Sequence, residues 1–210
     1  MKKMLALVIA LFIGIFFFLD VLFCQEKCDA PTWKVGDKWK WKPEPSGSET
    51  TGEVVDDTKD GFTLKLSDGT QIIYDKVTLN RKYIIESGRK TKAEGSLRKV
   101  LNFPLVVGKK WTDTIDVVGS RSGQPMTFLI EYRPERVEEV TTPAGTFKAF
   151  RIVGQGSLMS DTSNFTTFVA WYSPEVKFWI KQEPRKEKGP LGPWGNANNA
   201  ALIEYSVAKD

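Results

Sequence analysis

From residue 33 onward, apolar and polar residues alternate at period two in short runs, and turn-forming residues separate the runs. Trp39 and Trp41 alternate with Lys38, Lys40 and Lys42, and Phe62, Leu64 and Leu66 alternate with Thr63 and Lys65. Phe128, Ile130 and Tyr132 share a face, as do Phe150 with Ile152, Val169 with Trp171, and Val176 with Phe178 and Ile180. Successive side chains of a strand point to opposite sides of a sheet, so each run has one dry face and one wet face. Strands are expected over 50–56, 62–66, 71–75, 82–86, 112–118, 126–140, 166–172, 176–182 and 202–207.

Asp60-Gly61 and Asp68-Gly69 are hairpin signals, because both residue types accept the left-handed conformations of a primed turn. Pro143, Ala144 and Gly145 supply the fixed φ and the tolerated positive φ of a tight reversal, which makes 137–153 the central hairpin. Pro134 interrupts the long run before it, where a bulge or an edge position is expected. The stretch 87–95 is charged and marked by glycines and reads as a loop; 183–199, rich in Pro, Gly and Asn, reads as a long one. No convincing helix-period segment follows the first 24 residues. The expected fold is therefore all-β: a curved antiparallel sheet, half-closed or closed as a barrel, with a sandwich as the other arrangement the pattern allows.

The first residues are a different material. Lys2 and Lys3 precede an uncharged apolar run over 4–19 that ends at Asp20, a basic start and an apolar middle that read as an export signal helix. The run is shorter than the ~20 residues that span a bilayer comfortably, and a tilted anchor reaching Phe23 is the alternative. Two processing routes fit. Val21, Leu22, Phe23 and Cys24 resemble a bacterial lipoprotein site in which Cys24 takes the lipid, although Phe23 stands where a small residue is usual; ordinary cleavage after Cys24 would leave Gln25 first. The chain thus divides into a signal peptide or membrane anchor over 1–24, a short tether over 25–32 and one β domain over 33–210. Cys24 and Cys28 are the only cysteines, so no disulfide framework holds this domain.

Composition narrows the chemistry. A net charge of +4, with basic and acidic residues interspersed, gives no support for nucleic acid as a partner. Histidine is absent, which removes the commonest general base and metal ligand together with Ser-His-Asp and Cys-His catalysis. No glycine-rich phosphate loop precedes a helix, and no cofactor is implied. Asp113 with Asp116, or Glu138 with Glu139, are the carboxylate pairs that a glycoside hydrolase would require; strand neighbours point apart, so solvated strand faces explain them better. A non-enzymatic protein is expected.

The seven tryptophans are the feature most open to a functional reading. Trp39, Trp41, Trp111, Trp171 and Trp179 all fall on expected strands and are the candidates for lining the concave face of a curved sheet, offering apolar surface with indole N–H groups for orientation. Against this stands ordinary core packing, since half-buried β surfaces favour large aromatics. Trp39 and Trp41 share one face, so if one lines a cavity the other should too.

Gly36, Asp37, Trp39 and Trp41, then the stretch from Phe103 and Pro104 to Trp111, then Thr142 to Phe147, then Trp171, Tyr172, Ser173 and Pro174, resemble in that order the motifs of the TapB-like bacterial envelope proteins of unassigned function. The resemblance covers most of the chain after the leader. It implies a curved antiparallel sheet distantly similar to the half-barrel of the LolA and LolB lipoprotein carriers, and it transfers no catalytic residue. One departure stands out: Glu175, Val176 and Lys177 occupy the place of the family's Gly-Val-Gly, which leaves the tightness of that hairpin open. The expectation is an exported protein of the periplasm or cell envelope, associated with the membrane only through its N-terminus, that holds a lipid or acyl ligand in its sheet. The alternative is an envelope interaction or scaffolding module with a protein partner and no small ligand.

Overall fold

A computed structural model describes residues 26–44, 47–93, 99–118, 125–185 and 199–209. The stretch expected as a signal peptide or anchor, 1–24, with Cys24 at its end, lies outside the described residues. The chain forms β1 (Lys27–Cys28), β2 (Lys38–Glu44), β3 (Thr50–Thr58), β4 (Gly61–Leu66), β5 (Gln71–Tyr74), β6 (Arg81–Glu86) and β7 (Arg89–Lys92). It continues as β8 (Leu105–Val106), β9 (Trp111–Val118), β10 (Pro125–Thr142), β11 (Gly145–Leu158), β12 (Asp161–Ser173), β13 (Phe178–Arg185) and β14 (Asn199–Ser206). Twelve of these strands form one sheet in the order β7-β6-β5-β4-β3-β2-β14-β13-β12-β11-β10-β9, and β1 pairs with β8 in a small separate sheet. All pairings are antiparallel, so the fold is all-β as the alternation predicts.

The turns form where their residues allow. At Gly61 φ is +145°, and a Cβ there would sit 2.0 Å from the Tyr74 carbonyl oxygen, so only glycine lets β4 approach β5. Thr142 pairs with Gly145 across Pro143 and Ala144, closing the central hairpin as expected. The register of β10 against β11 shifts between Pro134 and Arg136, which is the bulge that a proline inside a strand calls for.

Three details differ from the sequence expectation. The charged stretch after Glu86 is a hairpin: Ser87 (φ 49°) and Gly88 (φ 78°) make a primed turn into β7, whose four residues are all exposed and carry no apolar alternation to announce a strand. The segment expected as a tether is pinned, with Lys27 and Cys28 paired to Val106 and Leu105. Of the loop expected at 183–199, residues 183–185 belong to β13 and Asn199 opens β14, while 186–198 lie outside the described residues.

The sheet does not close, since β7 and β9 end the strand order unpaired with each other, so the half-closed arrangement is the one adopted. It does bend sharply. Five strand steps separate β5 from β13, about 24 Å on a flat sheet. Yet the rings of Tyr74 on β5 and Phe178 on β13 have centroids 6.0 Å apart. The last strand, β14, lies between β2 and β13 and joins the N-terminal strands to the C-terminal ones along this bend.

Two apolar clusters fill the inside. One gathers Trp33, Trp39, Phe62, Leu64, Tyr74, Tyr172, Phe178 and Ile180; the other gathers Ile115, Phe128, Ile130, Tyr132, Phe168 and Ala170, and Trp111 and Trp179 pack against both.

Candidate functional site

The inner face of the bend is sealed at one end by tryptophans. Gly36 (φ 96°) and Asp37 turn the chain so that Trp33 folds back over β2. The Asp37 carboxylate fixes this turn from inside the protein, accepting from the Lys34 N–H at 2.9 Å and the Ala208 N–H at 2.8 Å, so one buried side chain ties the two ends of the domain together. Trp33 then touches Trp39, Phe62, Tyr74 and Phe178, with centroids 5.1 to 5.8 Å away.

Two indole N–H groups converge on the turn that joins β12 to β13, and a third on the start of β13. Trp33 Nε1 donates to the Lys177 carbonyl at 3.0 Å, Trp39 Nε1 to Val176 at 2.7 Å and Trp41 Nε1 to Trp179 at 2.9 Å. A buried indole N–H and a buried turn carbonyl each require a partner, and here each satisfies the other. Lys177 completes the lock with Nζ 3.3 Å from the Thr32 carbonyl. Its φ of 60° is the left-handed conformation that glycine would adopt without strain, so the hairpin is tight despite the lysine.

Further along β2 the seal ends. Trp41 stacks on Trp39 at 6.4 Å and 19°, but beyond it the facing residues are small or short. Thr50 lies opposite Trp41, Ala200 opposite Pro43, and Gly52 lies under the ring, where a Cβ would be 3.2 Å from Trp41 Cζ3. A hollow of about 280 Å³ remains, lined mainly by Trp41, Leu64, Leu66, Ile72, Phe178 and Trp179, with Arg81, Lys181 and Gln182 as its charged and amide groups. A second cavity of about 30 Å³ adjoins it, sharing Tyr74, Arg81, Trp179 and Gln182 and adding Asn80 among the apolar Leu79, Val100, Leu101 and Phe168. Arg81 and Gln182 are the charged and amide groups common to both.

The five strand tryptophans part company. Trp41 and Trp179 are brought together and line the hollow. Trp39, on the same face as Trp41, is completely buried beneath it, so a shared face did not mean a shared exposure. Trp111 stacks on Tyr132 at 5.7 Å and donates to the Lys99 carbonyl. Trp171 belongs to a charged network: it donates to Glu138 at 2.8 Å and is flanked by Arg151 and Lys181. Burial alone would raise the Glu138 pKa, but the Trp171 N–H and the guanidinium groups of Arg136 and Arg151 outweigh it and hold the carboxyl below its ordinary range.

Neither carboxylate pair converges. Asp113 is buried and bound to Lys99 at 3.0 Å, whereas Asp116 is exposed and accepts from Thr127. Glu138 is engaged with Trp171 and Arg136, and Glu139 beside it is exposed. Cys28 is half-buried and its pKa is pushed up to about 11, mainly by burial and then by the Asp29 charge, which keeps the thiol protonated. Residues that sequence reasoning missed are Trp33, which sits outside any strand, and Arg81, whose charge gave no hint of an inward position.

No family model matches the chain, and no curated protein does. Solved structures similar to it include YmcC, a hypothetical lipoprotein of Escherichia coli K12, at 9% identity, with 92% of this chain and 96% of that one covered and a TM-score of 0.48. A predicted lipoprotein of Parabacteroides distasonis is 14% identical, with coverage of 87% and 100% and a TM-score of 0.43. A predicted exported protein of Bacteroides fragilis with a YmcC-like fold is 12% identical, with coverage of 85% and 99% and a TM-score of 0.40. Likeness at this level assigns no function. A turn followed by an aromatic recurs wherever an antiparallel strand begins, so the motifs that resemble those of the TapB-like proteins report architecture before family.

Proposed function

We propose that this is an exported envelope protein that holds a hydrophobic or amphiphilic ligand on the inner face of its bent sheet. The observation that carries the reading is the hollow beside Trp41 and Trp179, walled by aliphatic and aromatic side chains that no other described part of the chain covers. At about 280 Å³ it lies at the lower edge of the ~300 to 1,000 Å³ typical of small-molecule sites, which fits one slender chain and not a bulky multi-chain lipid. The basic and apolar leader supports export.

Ala200 stands on the wall of the hollow, so Ala200→Phe would fill it from β14 while leaving the sealed end untouched. Native mass spectrometry of the protein purified from its own envelope is expected to show a bound lipid-sized adduct for the unaltered chain and its loss in the variant. A clean apo mass for the unaltered chain, together with no uptake of an apolar fluorescent dye, would sink the reading.

A further inference from the structure

Resting on that reading, we infer that the ligand is a single-chain amphiphile with a carboxylate head, and that Arg81 binds the head. Arg81 opens β6 and lines both the hollow and the adjoining cavity, as Gln182 does, so the cation stands where the two spaces meet. It is positioned by Tyr74: Nε donates to the Tyr74 hydroxyl at 3.3 Å, and the guanidinium carbon is 6.0 Å from the ring centroid. Tyr74 is itself buried against Trp33 and Phe178, so the arginine is fixed through the sealed core.

Among the described residues no carboxylate pairs with Arg81, and with Nε engaged on Tyr74 its two terminal nitrogens are left as a fork for a ligand in the hollow that Arg81 lines. A planar fork matches the two oxygens of a carboxylate. The other cation on the wall, Lys181, is already neutralised by Glu183 at 2.9 Å. One uncompensated positive charge therefore remains, which suits a monovalent head better than a phosphate monoester carrying nearly two charges. The volume admits one chain, and along β4 and β5 the wall runs from the apolar Leu66, Leu64 and Ile72 to Tyr74 and the Arg81 paired with it. A fatty acid lying with its tail between Trp41 and Leu66 and its carboxylate on Arg81 satisfies all three constraints.

The test is displacement of an uncharged apolar dye, N-phenyl-1-naphthylamine, by dodecanoic acid and by dodecanol at neutral pH. The two competitors share a tail and differ in the charge of the head. The unaltered protein is expected to bind the dye and to release it to the acid at about tenfold lower concentration than to the alcohol, the effect of one charged hydrogen-bonded pair. Arg81→Gln should equalise the two competitors without weakening the alcohol, Arg81→Lys should retain part of the difference, and Lys92→Gln, on the exposed strand β7 away from the hollow, should change neither. Unaltered melting temperatures of these variants would show that folding is not the cause. Equal displacement by acid and alcohol, or an acid preference that survives Arg81→Gln or disappears with Lys92→Gln, overturns the assignment while leaving the hollow in place. Failure of the unaltered protein to take up dye overturns the ligand-binding reading and this inference with it.

Discussion

Trp39 and Trp41 stand two residues apart on one face of one strand, yet one end of the inner surface is sealed and the other is open. Over Trp39 come Trp33, folded back by the Gly36 turn, and the turn between β12 and β13, whose carbonyls take the indole protons. Trp41 still meets Phe178, at 5.3 Å between centroids, and the Trp179 carbonyl, but its remaining neighbours include the small Pro43, Thr50 and Ala200, and the hollow stays open beside them. A period-two pattern sets which way a side chain points, and the elements arriving from elsewhere in the chain set whether it meets protein or space.

The sharpest way to break this contrast is to truncate each ring. Trp39→Ala should lose about 3 to 5 kcal/mol, the usual range for a fully buried aromatic, with the orphaned Val176 carbonyl adding to it. Trp41→Ala, half-buried beside existing space, should lose clearly less and should enlarge the hollow. Urea denaturation of both variants checks the order, and equal losses would show that the two ends are energetically alike.

Next in size is the staple behind the seal. Asp37→Ala leaves the backbone N–H groups of Lys34 and Ala208 without their acceptor, and a loss of about 1 to 3 kcal/mol is expected. Because the staple serves the sealed end, dye binding by the folded fraction should persist. A variant as stable as the parent would remove Asp37 from the account of how Trp33 is held.

The smallest effect separates indoles bound to carbonyls from the one bound to a carboxylate. The Glu138 pKa is held below its ordinary 4.5 in the folded protein, so its contribution is fully present above that pH and is lost as the pH falls through the lower folded value. Glu138→Gln should therefore be less stable than the parent near neutrality, by an amount that shrinks in acid. The Trp39→Ala deficit should not change over the same range, since its hydrogen bond contains no titrating group. Denaturation midpoints from neutral pH down to about pH 3 distinguish the two; a constant gap for Glu138→Gln would mean that its charge does not contribute.

Much of the architecture was legible because it is local. Asp60-Gly61, Asp68-Gly69 and the Pro143 to Gly145 stretch each fix their own turn, and Pro134 marks its own bulge. The β7 hairpin escaped notice for the complementary reason: an exposed edge strand of Arg89, Lys90, Thr91 and Lys92 buries nothing and so leaves no apolar trace. The candidate site was legible only in part. Trp41 and Trp179 were among the five strand tryptophans, but nothing in the spacing distinguished them from Trp39, Trp111 and Trp171. Arg81 was invisible because an arginine facing a cavity reads like an arginine facing water.

By itself, then, the order of residues determined the strand material and the direction of each side chain, both of which depend on neighbours within a few positions. The placement of β14 between β2 and β13, the bend that brings Phe178 to Tyr74, the convergence of three indoles on one turn and the strand that follows it, and the hollow left beside small residues were decided only by the folded chain. They depend on contacts between residues more than a hundred positions apart, and period-two alternation contains no information about which distant strand will lie alongside.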